Sequence, residues 1–304
     1  MKHIAILFMG IFLFVCDSPS INDNTMLDGN LVYDPSLYEP DNYLVSAAIP
    51  NPTPAQQATP VVIAAHGYSA TTFEWDEFND WAAEQGGILV SRVLLGGHGR
   101  DYRTFKHSTW QDWQAPIRQE FERLVEIGYQ HISFLSSSTS CPLLLELIKD
   151  GYFQYQTEPE HFLFIDPIII PSDKLLSLVG IVGPMLGYLE TSPTEEEQRH
   201  WYTFRPQETL QELQTLLTVV RKDLQSGIRL NTHLKVYKSK KDAAADPVSA
   251  VLIYKGVKGD VDVEMIDSDL HVFTRLAGRD DYSQQDIDNQ LYAFEDIRRI
   301  VLNQ

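Results

Sequence analysis

Short apolar runs recur along the 304-residue chain, separated by polar segments with helical spacing. Val61-Val62-Ile63-Ala64-Ala65 is apolar throughout, the mark of a strand buried on both faces. Ile88-Leu89-Val90 with Val93-Leu94, Ile132 to Leu135, and Phe162 to Ile165 repeat it. Leu234-Lys235-Val236-Tyr237 and Val261 to Ile266 complete six predicted strands. Between them, Phe121, Leu124 and Val125 lie on one predicted amphipathic helix. Leu210, Leu213, Leu217, Val220 and Leu224 lie on another, at intervals of three and four. Pro206 stands where a first-turn proline is tolerated. Strands alternating with helices predict an α/β fold, with a mostly parallel central sheet and helices on both faces.

One interval breaks the alternation. About 68 residues separate Ile165 from Leu234, far more than one crossover helix needs. An apolar stretch, Leu175 to Val182, lies inside it, followed by the acidic Glu195-Glu196-Glu197. Residues of about 170–205 are therefore expected to form a helical cap insertion over one sheet edge; the competing reading is another core helix. Pro50 to Pro60 carries four prolines and is expected to be a loop.

The first apolar run has a different meaning. Lys2 and His3 precede Ile4 to Val15, and polar residues begin at Asp17. Twelve apolar residues are too few to span a bilayer as a helix, so residues 1–16 are expected to be a signal peptide. Leu13-Phe14-Val15-Cys16 resembles a bacterial lipobox, departing from it at Val15, where a small residue is usual. The expectation is export from the bacterial cytoplasm and lipidation at Cys16, with simple periplasmic or secreted release as the alternative. Residues 17–30 are polar and turn-rich, a flexible tether, which leaves 31–304 for the folded domain.

Composition narrows the function. Hydrophobic residues make up 43% and aromatics 11%, enough for a globular core. A formal net charge of −18 repels phosphate backbones, so nucleic acid is not an expected partner. Cys16 and Cys141 are the only cysteines, too few for a disulfide framework or a thiolate zinc site. No HExxH or Cys/His cluster is present, and neither metal nor cofactor is expected.

The chemistry gathers at predicted strand ends. The strand from Ile132 runs into Ser136-Ser137-Ser138-Thr139-Ser140, and a helical pattern resumes at Leu143. A nucleophile on a sharp strand-to-helix turn needs small residues two before and two after it. Ser138, flanked by Ser136 and Ser140, meets that need without the usual glycines, while Ser137 and Ser140 remain alternatives. Val61 to Ala65 leads into His66-Gly67-Tyr68, where the Tyr68 N–H can join that of Thr139 as an oxyanion hole. His66 itself reads as a structural histidine under the site. Gly96-Gly97-His98-Gly99-Arg100 lacks the spacing and the Lys-Ser/Thr pair of a phosphate loop. Cys141 sits late in the turn, beside Pro142, and is a weaker nucleophile candidate.

The blocks AHGYSATTFEW, LLGGHGRDY, STWQDW and GYQHISFLSSSTS resemble, in order, those of capped carboxylesterases and monoacylglycerol-lipase-like α/β-hydrolases. The resemblance covers about residues 58–300. It implies Ser138 as nucleophile, Tyr68 and Thr139 as oxyanion donors, an acid after the next-to-last strand and a base after the last. Asp242, following Leu234 to Ser239, fills the acid position, and Asp246 before Pro247 is the alternative. Asp246-Pro247 also reads as a helix start. His271, in the loop after Val261 to Ile266, fills the base position. The expected activity is a serine ester hydrolase acting on small to medium acyl or hydrophobic esters through an acyl-enzyme. The alternatives are a thioesterase or lipase using the same triad, or a non-catalytic binding protein.

Overall fold

The structure, a computed structural model, describes residues 46, 48, 49, 51–155, 157–172 and 187–303. The export run, Cys16, the 17–30 tether and residues 173–186 of the insertion lie outside the described residues.

Among the described residues, ten strands occur in chain order: β1 Val61–Ala65, β2 Leu89–Val93, β3 Ile132–Ser137, β4 His161–Ile165, β5 Tyr188–Glu190, β6 Phe204–Pro206, β7 Ile228–Arg229, β8 His233–Ser239, β9 Val257–Lys258 and β10 Val261–Ile266. Six of them build one sheet, ordered β10-β8-β4-β3-β1-β2, with every neighbouring pair parallel. These six are the predicted runs, with boundaries shifted by a residue or two. The chain starts at β1, steps outward to β2, then crosses back to β3 and continues outward on the other side. The order therefore reverses between β1 and β3, the kind of place where a parallel sheet opens a crevice at its carboxyl edge. Ala65, ending β1, is registered with Ser136 of β3, so the two candidate loops leave the sheet side by side.

Among the described residues, eight α-helices accompany the strands: α1 Pro54–Gln57, α2 Asp76–Gln85, α3 Tyr102–Lys106, α4 Trp110–Ile127, α5 Ser140–Lys149, α6 Gln207–Ser226, α7 Val248–Gly256 and α8 Gln284–Val301. Strand β1 shows why both faces need cover. Val61, Ile63 and Ala65 join one apolar layer with residues of α4 to α7. Val62 and Ala64 join a second, with Phe78 of α2 and Phe294 and Ile297 of α8. Every residue of β1 is 0% exposed, which is why its sequence carries no alternation. Thr109 and Asp112 cap α4 reciprocally, and Gly128 at φ 98° ends it in the left-handed conformation.

The described flank of the insertion, residues 187–205, holds no α-helix. It holds the antiparallel pair β5–β6, with Leu189 opposite Arg205, and a short 3-10 turn at Glu197–Arg199. The other flank is tied down by an isolated bridge between Pro171 and Ala245.

Candidate active site

Strand β3 delivers Ser138 to the crevice. The residue has φ +48°, a strained conformation for a side chain larger than glycine. Its N–H donates to Ile165 O at 3.0 Å, and its carbonyl accepts from Ile168 N at 3.3 Å. The turn is thus fixed by the end of β4. The flanking serines are packed into the same turn, Ser136 and Ser140 both being 0% exposed. Ser140 Oγ accepts from Ser137 N at 2.9 Å and lies 2.8 Å from Ala65 O. Crowding is severe on the β1 side, where a Cβ on Gly67 would stand 3.1 Å from Ser138 Cβ.

The three candidate serines go different ways. Ser137 Oγ donates to the buried Glu74 carboxyl, and Ser140 Oγ is spent on backbone. Ser138 Oγ lies 2.8 Å from His271 Nε2. His271 Nδ1 in turn lies 2.8 Å from Asp242 Oδ2. A carboxylate only accepts, so Nδ1 carries the proton and Nε2 is left to accept from the serine hydroxyl.

Both partners are held by their loops. The guanidinium of Arg279 donates to His271 O at 2.6 Å, and Val272 at φ +54° turns the chain away. Asp242 Oδ1 accepts from Ala244 N at 2.8 Å and Ala245 N at 3.0 Å. Burial pushes the Asp242 carboxyl up, but the His271 ring and the Lys238 ammonium beside it outweigh burial. They hold it below the usual carboxylate range.

Asp246, the alternative acid, is engaged elsewhere: its Oδ1 accepts from Val248 N at 2.8 Å at the start of α7. Cys141 is fully buried, its Sγ 3.3 Å from Ser136 O. Burial and the Asp166 carboxylate push its thiol well up, away from thiolate reactivity. His66 lies under the site. Its Nε2 accepts from Leu95 N at 3.0 Å and its Nδ1 donates to Gly67 O at 2.8 Å. Burial depresses it to about 4, so the ring stays neutral. Gly67, next to Tyr68, packs against Ser138, and the backbone N–H groups of Tyr68 and Thr139 have no hydrogen-bond partner among the described residues.

Three neighbours were not singled out in the sequence. Glu74, 5% exposed, accepts from Gly67 N at 2.9 Å as well as from Ser137 Oγ, joining the β1 turn to the end of β3. Burial raises its carboxyl above the ordinary range. Asp166 directly follows β4, and Lys238 lies in β8 beside Asp242. Asp166, Asp242 and His271 each bring one ligand-type atom within 4.8 Å of the others, and the Lys238 ammonium already bonds both carboxylates. Asp166 had one legible mark, its place at the end of a predicted strand. Glu74 and Lys238 had none.

The sheet order and its helical cover define the α/β-hydrolase fold. Among solved structures, the chain is similar to a metagenome-derived lipolytic enzyme, with TM-score 0.63 and 18% identity over 80% of this chain and 94% of that one. It is also similar to monoglyceride lipase from Saccharomyces cerevisiae, with TM-score 0.62 and 10% identity over 85% and 89%. A third is monoacylglycerol lipase from Paleococcus ferrophilus, with TM-score 0.56 and 12% identity over 81% and 97%. No protein-family model and no curated protein sequence matches the chain.

Proposed function

We propose that the chain is a serine hydrolase of carboxylic esters, with Ser138 as nucleophile, His271 as general base and Asp242 as the residue that orients it. The observation carrying this reading is the unbroken line of two 2.8 Å contacts from Ser138 Oγ through the imidazole to Asp242. A serine hydroxyl is a poor nucleophile at neutral pH, so His271 Nε2 takes its proton as Oγ attacks the ester carbonyl. Negative charge grows on the former carbonyl oxygen, where the free N–H groups of Tyr68 and Thr139 offer two donors. The imidazolium, steadied by Asp242, returns the proton to the departing alcohol. Water then repeats the sequence on the acyl-enzyme. Three of the folds it resembles belong to lipolytic enzymes or monoacylglycerol lipases, which supports an acyl ester as substrate.

Hydrolysis of p-nitrophenyl acyl esters tests the reading. Ser138→Ala is expected to lower kcat at least 10³-fold, on the scale of lost triad members, while the fold survives. Turnover at the wild-type rate in that variant would refute it. Covalent labelling by a fluorophosphonate probe is expected on Ser138 alone.

A further inference from the structure

A catalytic triad needs one carboxylate, and this site contains two. Asp166, at φ +45° directly after β4, receives Ser239 N at 2.7 Å, Ser239 Oγ at 3.0 Å and Phe273 N at 3.2 Å. It thereby clamps the end of β8 to the segment that follows His271. Lys238 is fully buried, and its ammonium bonds Asp166 Oδ1 at 3.1 Å and also Asp242 Oδ2, the oxygen that His271 Nδ1 bonds. Two carboxylates and one ammonium leave the imidazole facing a single net negative charge. Water is excluded here, since the side chains of Asp166, Asp242 and Lys238 are all 0% exposed. Charges buried this way act on one another far more strongly than surface pairs do.

We propose that Asp166 and Lys238 form a charge-setting pair for the triad: the ammonium cancels the second carboxylate, and the pair fixes the pH at which His271 becomes available as a base. Both are positioning residues, since neither touches the reacting atoms. The proposal rests on the reading of His271 as the base.

Other charged groups face the imidazole as well. Glu74 approaches from the β1 side, in electrostatic contact with His271 and Arg275. Arg275 is paired with Glu197 at 2.7 Å, and Arg279 is spent on backbone carbonyls. The Cys141 thiol lies buried near Asp166. Lys241 and Asp267, 3.8 Å apart, are 73% and 68% exposed and hence screened by solvent. All of these stay in place when only the pair is altered.

Two variants isolate the pair. Asp166→Asn removes one negative charge and leaves the ammonium, which disfavours the imidazolium. The acidic limb of the kcat/KM profile is expected to move about one pH unit lower, the scale of a nearby buried charge. Adding Lys238→Met in that background restores a single net negative charge, and the limb is expected to return toward its wild-type position. A merely structural role predicts the opposite pattern: activity lower at every pH, no displacement of the limb, and a double variant worse than the single one. That pattern would overturn the proposal, as would an unmoved limb in Asp166→Asn. The same displacements are expected in the His271 imidazole resonances followed by NMR titration. If the wild-type chain turns over no ester, the esterase reading fails, and the NMR titration alone decides whether the pair sets the imidazole's charge.

Discussion

At the scale of single residues, the geometry around Ser138 leaves little slack. Gly67 is the closest constraint, since an added Cβ would press on Ser138 Cβ at 3.1 Å and stand 3.6 Å from its Oγ. Contacts that tight require the neighbour to yield by a few tenths of an ångström, and here the neighbour is Ser138, the proposed nucleophile. Gly67→Ala is therefore expected to lower kcat at least 10-fold, because small misplacement of a reacting group is expensive. Its thermal midpoint is expected to fall by only a few degrees. Ester assays beside a melting curve check the contrast; equal activity with a collapsed midpoint would count against it. Ser138, Asp242 and His271 were readable as residue types in chain order, and each stands in the loop expected. Lys238 was not. Lys235, Lys238, Lys240 and Lys241 form one basic run, and nothing local says which is buried. Only the fold places Lys238 at 0% and leaves Lys241 at 73% exposure.

At the scale of elements, the site depends on β3 being held rigidly from both sides. Phe134 in β3 is 0% exposed and packs among Phe121, Phe153 and Phe162, with ring centroids 5.4 to 5.6 Å away. Phe134→Ala is expected to cost about 3–5 kcal/mol, the transfer loss plus the cavity left behind. Chemical denaturation measures this, and a loss under 1 kcal/mol would show that the layer can collapse around the gap. The six strands of the main sheet were legible, because continuous apolar runs bounded by turn residues have few other uses in a chain of this composition, whereas the short pairs β5–β6 and β7–β9 were not. Pairing order was not, since no run of β1 specifies β3 rather than β2 as its neighbour. One of the two missing elbow glycines also finds its explanation here. Ser140 uses its hydroxyl within the turn, meeting Ser137 N and Ala65 O, so a small polar residue suits the position.

At the scale of the whole molecule, acid should weaken the fold through its neutral, buried histidines. His66 is depressed to about 4 in the folded chain, against an ordinary value of 6.5, and burial lowers its neighbour His98 as well. A base whose folded value is depressed binds fewer protons folded than unfolded between those two pH values. Stability from His66 is therefore fully present above about pH 6.5 and declines as pH falls toward 4. Between pH 6.5 and 5 the decline is about 2 kcal/mol for this group. His66→Gln should remove that part of the slope, read from denaturation midpoints at several pH values. An unchanged slope would mean that His66 is not the titrating group. The net charge of −18 acts in the other direction, since protonating surface carboxylates relieves self-repulsion, so the variant difference is the quantity to measure.

The linear sequence determined the fold class, the strand ends that carry the candidate residues and the order serine, aspartate, histidine. Period, turn residues and loop position are local properties written residue by residue. The tertiary structure alone decided which serine hydroxyl meets the imidazole and that Asp246 accepts from Val248 N at a helix start while Asp242 joins His271. It also decided that a lysine and a second carboxylate share the pocket of Asp242. Distances between groups more than a hundred residues apart, and the burial that makes their charges matter, exist only once the sheet has assembled.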